Sequence, residues 1–391
     1  MDFTKLKNFM DFMVREKTPS NAIEVYLDSK PVFKYATGYS SLENKEKLTG
    51  YEYFNIYSCS KIATVTAGMQ ILEQGKFLLS DPLYEYIPEF REMYVKSEDG
   101  IKKAQNIITI GDLFTMTAGF NYDINVPAFN EARQKTEGRM DTLETIKCLA
   151  KEPLSFEPGT RWGYSLCHDV LAAVIEVVSG MKFRDYMKEN IFKPLGMNKT
   201  VYHSTSQIKE GMAEQYSFVA TDSKESDDIV ELQRSGNAKA GVFKNVGKDV
   251  AHILGCEYDS GGAGITTTTA DYVKLVAALA NGGMGINGER ILSEYAVELM
   301  KVNRLNDTVI KYFNWSQLKG YGYGLGVRTH IKPELSGCMS NIGEFGWNGA
   351  AGAAAIVDTK AKLAVFYTQH CLNPREEFYM PRLKNIVYSC L

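Results

Sequence analysis

The chain has 391 residues, 45% of them hydrophobic and 23% charged, and a formal net charge of -3. This is the composition of an ordinary globular protein, long enough for one large domain or two interleaved ones. Its basic residues are scattered, which excludes a phosphate-tracking groove for nucleic acid and a polybasic membrane patch. No apolar run approaches the roughly 18 residues of a membrane-spanning helix.

The first segment, MDFTKLKNFMDFMVREK, is charged throughout and has no apolar core followed by a small-residue cleavage site. It does not read as a secretory signal, so a cytoplasmic location is expected. Within it Phe3, Leu6, Met10 and Met13 recur at helical spacing, predicting an amphipathic helix that stops near Thr18-Pro19-Ser20. The period then changes to two. AIEVYLDS and VFKYATGYS alternate like two half-buried strands of a hairpin joined at Lys30-Pro31. Beyond NIYSCSK, the residues Ile62, Val65, Met69 and Leu72 mark the buried face of a helix that ends at Gly75.

From about Ser80 to Asn245 the signals are mainly helical and irregular, with a polar segment TDSKESDDIVELQRSGNAKAG that reads as a solvated loop. After Gly261 a helix, TTADYVKLVAALANGG, precedes strands at YGYGLGVRTH, GEFGWNG, AAAIVDT and LAVFYTQ, and a last helix covers PREEFYMPRLKNIVYSCL. Strands near both ends with helices between predict an α/β (α+β) fold. Its mostly antiparallel sheet is built from N- and C-terminal segments, flanked by helices, and carries a large helical insertion. The expected division is a sheet domain from 1–80 and 246–391, a mainly helical domain from 81–245, and an active site between them. The seven cysteines are odd in number, widely spaced and without a CxxC pair, a pattern of reduced thiols rather than of a disulfide framework or zinc site.

The chemical signals need context. Serine and lysine three apart share a helix face, but this spacing occurs four times, at Ser58, Ser179, Ser206 and Ser316. Ser179 closes a helix at Ser-Gly, and Ser206 and Ser316 lie in poorly periodic stretches. Only Ser58 stands between a β-like segment, YFNIY, and a strongly periodic helix. Lys61 there opposes its own helix dipole at a cost of about 0.3–1 kcal/mol, so something else must favour it. The plain alternative is a helix-capping serine beside a solvated lysine. GMGING at 283–288 follows a helix instead of opening one, and reads as a turn rather than a dinucleotide site. The five histidines lack metal-like spacing, and GxSxG and HExxH are absent. Nothing calls for a cofactor or a metal.

YSCSK and the apolar helix after it resemble the serine motif of the serine β-lactamase and penicillin-binding protein superfamily. ITIGDLFTMTAGF resembles that family's ITxxxLLxHTSG segment, and FEPGTRWGYS its PGxxFxYS approach to the second motif. GGAGITTTTADYVKLVAALANGG, NGERILSEYAVELM, YGYGLGV and GWNGAAG resemble later blocks of class C β-lactamases and family VIII carboxylesterases, so the likeness runs from about residue 20 to 370. The second motif falls on Tyr164-Ser165-Leu166, which keeps the tyrosine of Tyr-x-Asn and loses the asparagine. The third falls on Trp347-Asn348-Gly349, which keeps the glycine of KTG or HxG and puts tryptophan in place of the cation or imidazole. An indole offers apolar surface and one N–H donor, so a strong grip on a substrate carboxylate is not expected.

The resemblance implies that Ser58 is the nucleophile and that Lys61 and Tyr164 share its proton. It further implies that the backbone N–H groups of Ser58 and Ala350 hold the oxyanion, and that Trp347, Asn348, Gly349 and Tyr122 bind substrate. A lysine accepts a proton only when neutral, and burial is expected to favour that form more than the helix end can. The implied activity is that of a serine hydrolase forming an acyl-enzyme, most simply a carboxylesterase. A β-lactamase or D-amino-acid peptidase, an acyltransferase and a non-hydrolytic penicillin-binding sensor are the alternatives. The partner is then a small ester, lactam or peptide-like molecule, with no nucleic acid or membrane; the oligomeric state is not legible.

Overall fold

The computed structural model describes residues 1–221 and 241–391; the polar segment expected to be a solvated loop lies almost wholly outside them. The first helix, α1 (Thr4–Glu16), buries Leu6, Phe9, Met10 and Met13 on one stripe. Strands β1 (Ser20–Leu27), β2 (Lys30–Ser41) and β3 (Glu46–Lys47) follow. Five more strands come from the far end of the chain: β4 (Tyr321–Tyr323), β5 (Arg328–His330), β6 (Phe345–Gly346), β7 (Ala354–Asp358) and β8 (Leu363–Thr368). Together they form one eight-stranded sheet in the order β4-β5-β6-β7-β8-β1-β2-β3, antiparallel throughout. The N- and C-terminal parts of the chain join where β1 lies beside β8, with Val25 opposite Val365.

Alternation along the strands gives the sheet two apolar faces. Ile23, Val25, Leu363, Val365 and Tyr367 face α1 and the C-terminal helix Glu376–Tyr388. Ala22, Ala355, Val357, Ala364 and Phe366 face the main core, where the helix Thr269–Ala280 crosses the sheet. Thr268 starts that helix by accepting a hydrogen bond from the Asp271 N–H.

Three local expectations need correction. The hairpin turns at Asp28-Ser29, not at Lys30-Pro31: both residues have positive φ, 49° and 61°, the twist that a two-residue turn requires. Pro31 instead lies inside β2 where the register shifts against Tyr26, and a residue without an N–H is tolerated at such an irregularity. YGYGLGVRTH is two strands rather than one, because Gly326 at φ +78° folds the chain back on itself. The helix after NIYSCSK, α2 (Ser60–Glu73), is buried on every side from Ser60 to Ile71, whereas its spacing suggested one apolar face.

Segment 81–221 holds α3 (Ile110–Thr115) and α4 (Cys167–Ser179), which pack on each other and on α2. It also holds strand pairing that its composition did not reveal, a hairpin of Tyr94–Ser97 with Gly100–Lys103. Among the described residues no helix is long and apolar enough to cross a membrane.

Candidate active site

Ser58 lies in a short 3-10 turn, Tyr57–Cys59, that leads straight into α2. The turn is strained. Tyr57 sits at φ +46°, a left-handed conformation that a bulky side chain adopts only when its surroundings force it, at a cost of roughly 1–3 kcal/mol. Those surroundings are identifiable. The Tyr57 hydroxyl donates to Gln215 at 2.9 Å, the Tyr272 hydroxyl donates to the Cys59 carbonyl at 2.5 Å, and the Cys59 thiol donates to the Trp347 carbonyl at 3.4 Å. The turn is therefore clamped between the core and the strand end that carries Trp347.

Ser58 makes no capping bond, and Lys61 is fully buried, so the capped-helix alternative fails. The Lys61 amine is 3.2 Å from Ser58 Oγ, 2.8 Å from the Gly262 carbonyl and 3.0 Å from the Tyr122 hydroxyl. The Tyr164 hydroxyl donates to Ser58 Oγ at 2.5 Å, and the Trp347 indole N–H donates to the Tyr164 oxygen at 3.4 Å. Serine, amine and phenol thus form one hydrogen-bonded group. At the other three serine-lysine spacings the lysines go elsewhere: Lys182 pairs with Asp141, Lys209 with Asp249, and Lys319 is not bonded to Ser316 through its side chain.

The aromatic rings fix these positions. Tyr122 stacks on Tyr164 at 5.2 Å with planes 9° apart, and Trp315 and Trp347 lie 5.2 and 5.7 Å from the Tyr164 ring. The Lys61 amine sits 4.6 Å from the Tyr164 ring centre, where the π face favours a cation. Burial holds the Tyr122 hydroxyl well above its usual pKa, with the neighbouring Tyr164 and Asp169 adding to the effect. His168, one turn from Tyr164 on α4, is pushed down to about 3 by burial and then by the charge of Lys61; it packs in the core with one ring nitrogen 3.4 Å from the Phe114 carbonyl.

In front of Ser58 opens a cleft of about 180 Å³ bordered by Tyr164, Trp315, Leu318, Trp347, Asn348, Gly349 and Ala350. The last four come from the turn between β6 and β7, held by Gly349 N–H to Ala353 at 2.7 Å. The expected site residues are thus brought together around Ser58, with one difference. Tyr122 meets Lys61 behind the serine and is not among the residues bordering the cleft.

Several neighbours were not legible as site residues. Trp315, Glu376 and Glu377 border the cleft, and Asn348 donates to Glu376 at 2.6 Å. They lie in segments without a motif, brought in by the sheet edge and the start of the last helix. Arg328, also at the cleft, is bonded to Glu344 at 3.1 Å. Asp169, five residues after Tyr164, left one signal, an acid in the first turn of a helix whose following residues, VLAAVI, are all apolar.

Residues 6–388 match the family described as Beta-lactamase. The chain belongs to that family. A putative D-alanyl-D-alanine carboxypeptidase of Escherichia coli (strain K12) is 24% identical over 362 residues, covering 87% of this chain and 75% of that one. Among solved structures, EstCE1, a hydrolase with promiscuous acyltransferase activity, superposes with a TM-score of 0.77 at 22% identity, covering 98% of this chain and 97% of that one. A family VIII carboxylesterase gives 0.71 at 19% identity, with 100% and 97% covered. The β-lactamase fold and membership of a serine hydrolase family agree with the expectation from the motifs.

Proposed function

We propose that the protein is a serine esterase acting on small, uncharged acyl esters. The observation that carries this reading is the position of Ser58 Oγ, 3.2 Å from the Lys61 amine and 2.5 Å from the Tyr164 hydroxyl, at the floor of an aromatic cleft. In this reading Ser58 attacks the ester carbonyl, and its proton passes to the Lys61–Tyr164 pair, both members of which contact its hydroxyl. The N–H groups of Ser58 and Ala350 receive the oxyanion. Tyr164 delivers the proton to the leaving alkoxide, and water then releases the acid. Trp347, Asn348 and Gly349 bind the substrate from one side; Tyr122 positions the amine.

Cleft chemistry favours a neutral substrate. Lactam antibiotics and D-amino-acid peptides carry a carboxylate, which needs a cation. Where relatives of the lactamase type have one, this chain has Trp347, and among the described bordering residues the one cation, Arg328, is bonded to Glu344. Glu376 adds negative charge. The small volume favours short acyl chains.

The second reading, a D-alanyl-D-alanine carboxypeptidase, is favoured by the name of the Escherichia coli relative. A panel of p-nitrophenyl butyrate, a chromogenic cephalosporin and a D-alanyl-D-alanine peptide separates the two. The proposal expects ester turnover at least 100-fold above the others in kcat/KM. Faster cleavage of the peptide or the lactam would replace it with the second reading or a lactamase. A lasting adduct without turnover would make the protein a sensor, and transfer to an added alcohol in preference to water an acyltransferase.

A further inference from the structure

Behind Lys61 lies a carboxylate with no part in the scheme above. Asp169 on α4 is 1% exposed. One of its oxygens accepts from the Ser260 hydroxyl at 2.8 Å and the Tyr258 hydroxyl at 3.2 Å; the other, Oδ2, is buried without a hydrogen-bond partner among the described residues. A buried carboxylate oxygen left in this way is costly and calls for an explanation.

Gly262 supplies the geometry. A methyl group on it would lie 2.5 Å from Asp169 Oδ2, 2.9 Å from the Tyr122 hydroxyl and 3.3 Å from the Lys61 amine. The three groups therefore converge on one face of that glycine, and the carboxylate and amine are no more than about 6 Å apart, the range over which opposite charges shift one another's protonation. Only a residue without a side chain lets them approach.

We propose that Asp169 is a positioning residue whose carboxylate faces Lys61 across Gly262 and balances the ammonium formed when Lys61 takes the proton of Ser58. This rests on the esterase reading. In acylation the bond from Ser58 Oγ to the carbonyl carbon forms, the carbonyl π pair moves to oxygen, and the hydroxyl proton goes to the amine. Positive charge then appears on Lys61, where Asp169 faces it from α4. The other groups around the amine are Ser58 and Cys59 at the start of α2, Tyr122 beyond α3, Tyr164 before α4, His168 on α4 and His252 in the loop before Gly262. Burial keeps both imidazoles neutral, so they do not compete with the carboxylate.

The test is the pH profile of ester hydrolysis by Asp169→Asn. Asparagine keeps an acceptor for Ser260 and Tyr258 but removes the charge. With the charge gone the ammonium is less favoured, so the acid limb of kcat/KM is expected to move about one unit to lower pH, while the plateau falls roughly 10-fold. A structural role alone would lower the plateau and leave the limb in place. An unmoved limb, or one displaced to higher pH, overturns the inference. Should the variant not fold, infrared spectroscopy of the wild-type enzyme with 13C-labelled aspartate reads the carboxyl groups directly. All ionised at pH 7 supports the inference, and a buried protonated carboxyl lost on Asp169→Glu substitution overturns it. Wild-type enzyme that turns over esters without acylating Ser58 would sink the esterase mechanism itself, a different outcome from an unmoved limb.

Discussion

Gly349 lies against the carbonyl of Ile56 so closely that a methyl group on it would stand 2.1 Å from that oxygen. This contact joins the two halves of the proposed oxyanion site, because Ile56 precedes the Ser58 turn and Gly349 precedes Ala350. Gly349→Ala should push the two apart. The expected result is a loss of about 100-fold in kcat, the scale of one oxyanion donor, with a smaller change in KM. Steady-state kinetics with p-nitrophenyl butyrate checks it; a KM effect alone would confine the glycine to substrate binding and remove it from the oxyanion site.

Under the proposed mechanism the buried amine and the phenol share the proton of Ser58. Lys61→Met keeps the length of the side chain and removes its base, and Tyr164→Phe keeps the ring and removes the hydroxyl. Each should lower kcat/KM by 10²–10⁴-fold, the range of a positioned acid-base group. Because the two act as a unit, the double variant should be little worse than the poorer single one. Multiplicative losses would show two independent roles.

Charge at the cleft mouth is predicted to select against anions. Glu376→Gln keeps an acceptor for Asn348 while removing one negative charge. The ratio of kcat/KM for a hemisuccinate ester to that for its neutral counterpart should rise about threefold to tenfold at low ionic strength and shrink with added salt. A ratio that does not change would remove Glu376 from specificity.

Two histidines make stability fall in acid. Burial holds His168 at about 3 and His370 at about 4, both below the ordinary value of roughly 6.5 for the unfolded chain. Between those values the unfolded state binds more protons, so stability is full above pH 6.5 and is lost as pH falls through the window. Thermal melts should therefore drop steadily between pH 6.5 and 4. His168→Gln should flatten that slope, whatever its effect on the melting temperature at pH 7.

A buried ion triad supports the strand before Trp347. Glu344, fully buried just before β6, meets Arg328 at 3.1 Å and Lys384 at 3.2 Å. Lys384 is pulled down to about 8 by burial and then by Arg328, against the raising effect of Glu344. Glu344→Gln would leave two cations facing one another in the core. Chemical denaturation should show a loss of about 3–5 kcal/mol.

Periodicity and motif order made much of this legible. AIEVYLDS and LAVFYTQ were legible as strands, although the alternation of the first suggested one buried face where the structure buries both, and YSCSK, GYS and GWNG arrive at one cleft although they lie more than a hundred residues apart. What stayed hidden depends on three-dimensional company. Tyr57 at positive φ is imposed by bonds to Gln215 and the core around it, which no local propensity encodes. Tyr122 was expected against substrate and stands instead behind Lys61, because the loop after α3 turns its hydroxyl inward. Trp315, Glu376 and Asp169 gain their positions from sheet closure and helix packing, and their own neighbours in sequence carry no motif.

The most direct test of the account is intact-protein mass spectrometry during turnover of p-nitrophenyl butyrate, comparing the wild type with Ser58→Ala. The account predicts a transient butyryl adduct on the wild type, mapped to the peptide containing Ser58, and loss of both adduct and hydrolysis in the variant. Undiminished hydrolysis by Ser58→Ala, or an adduct that maps to another residue, would contradict it.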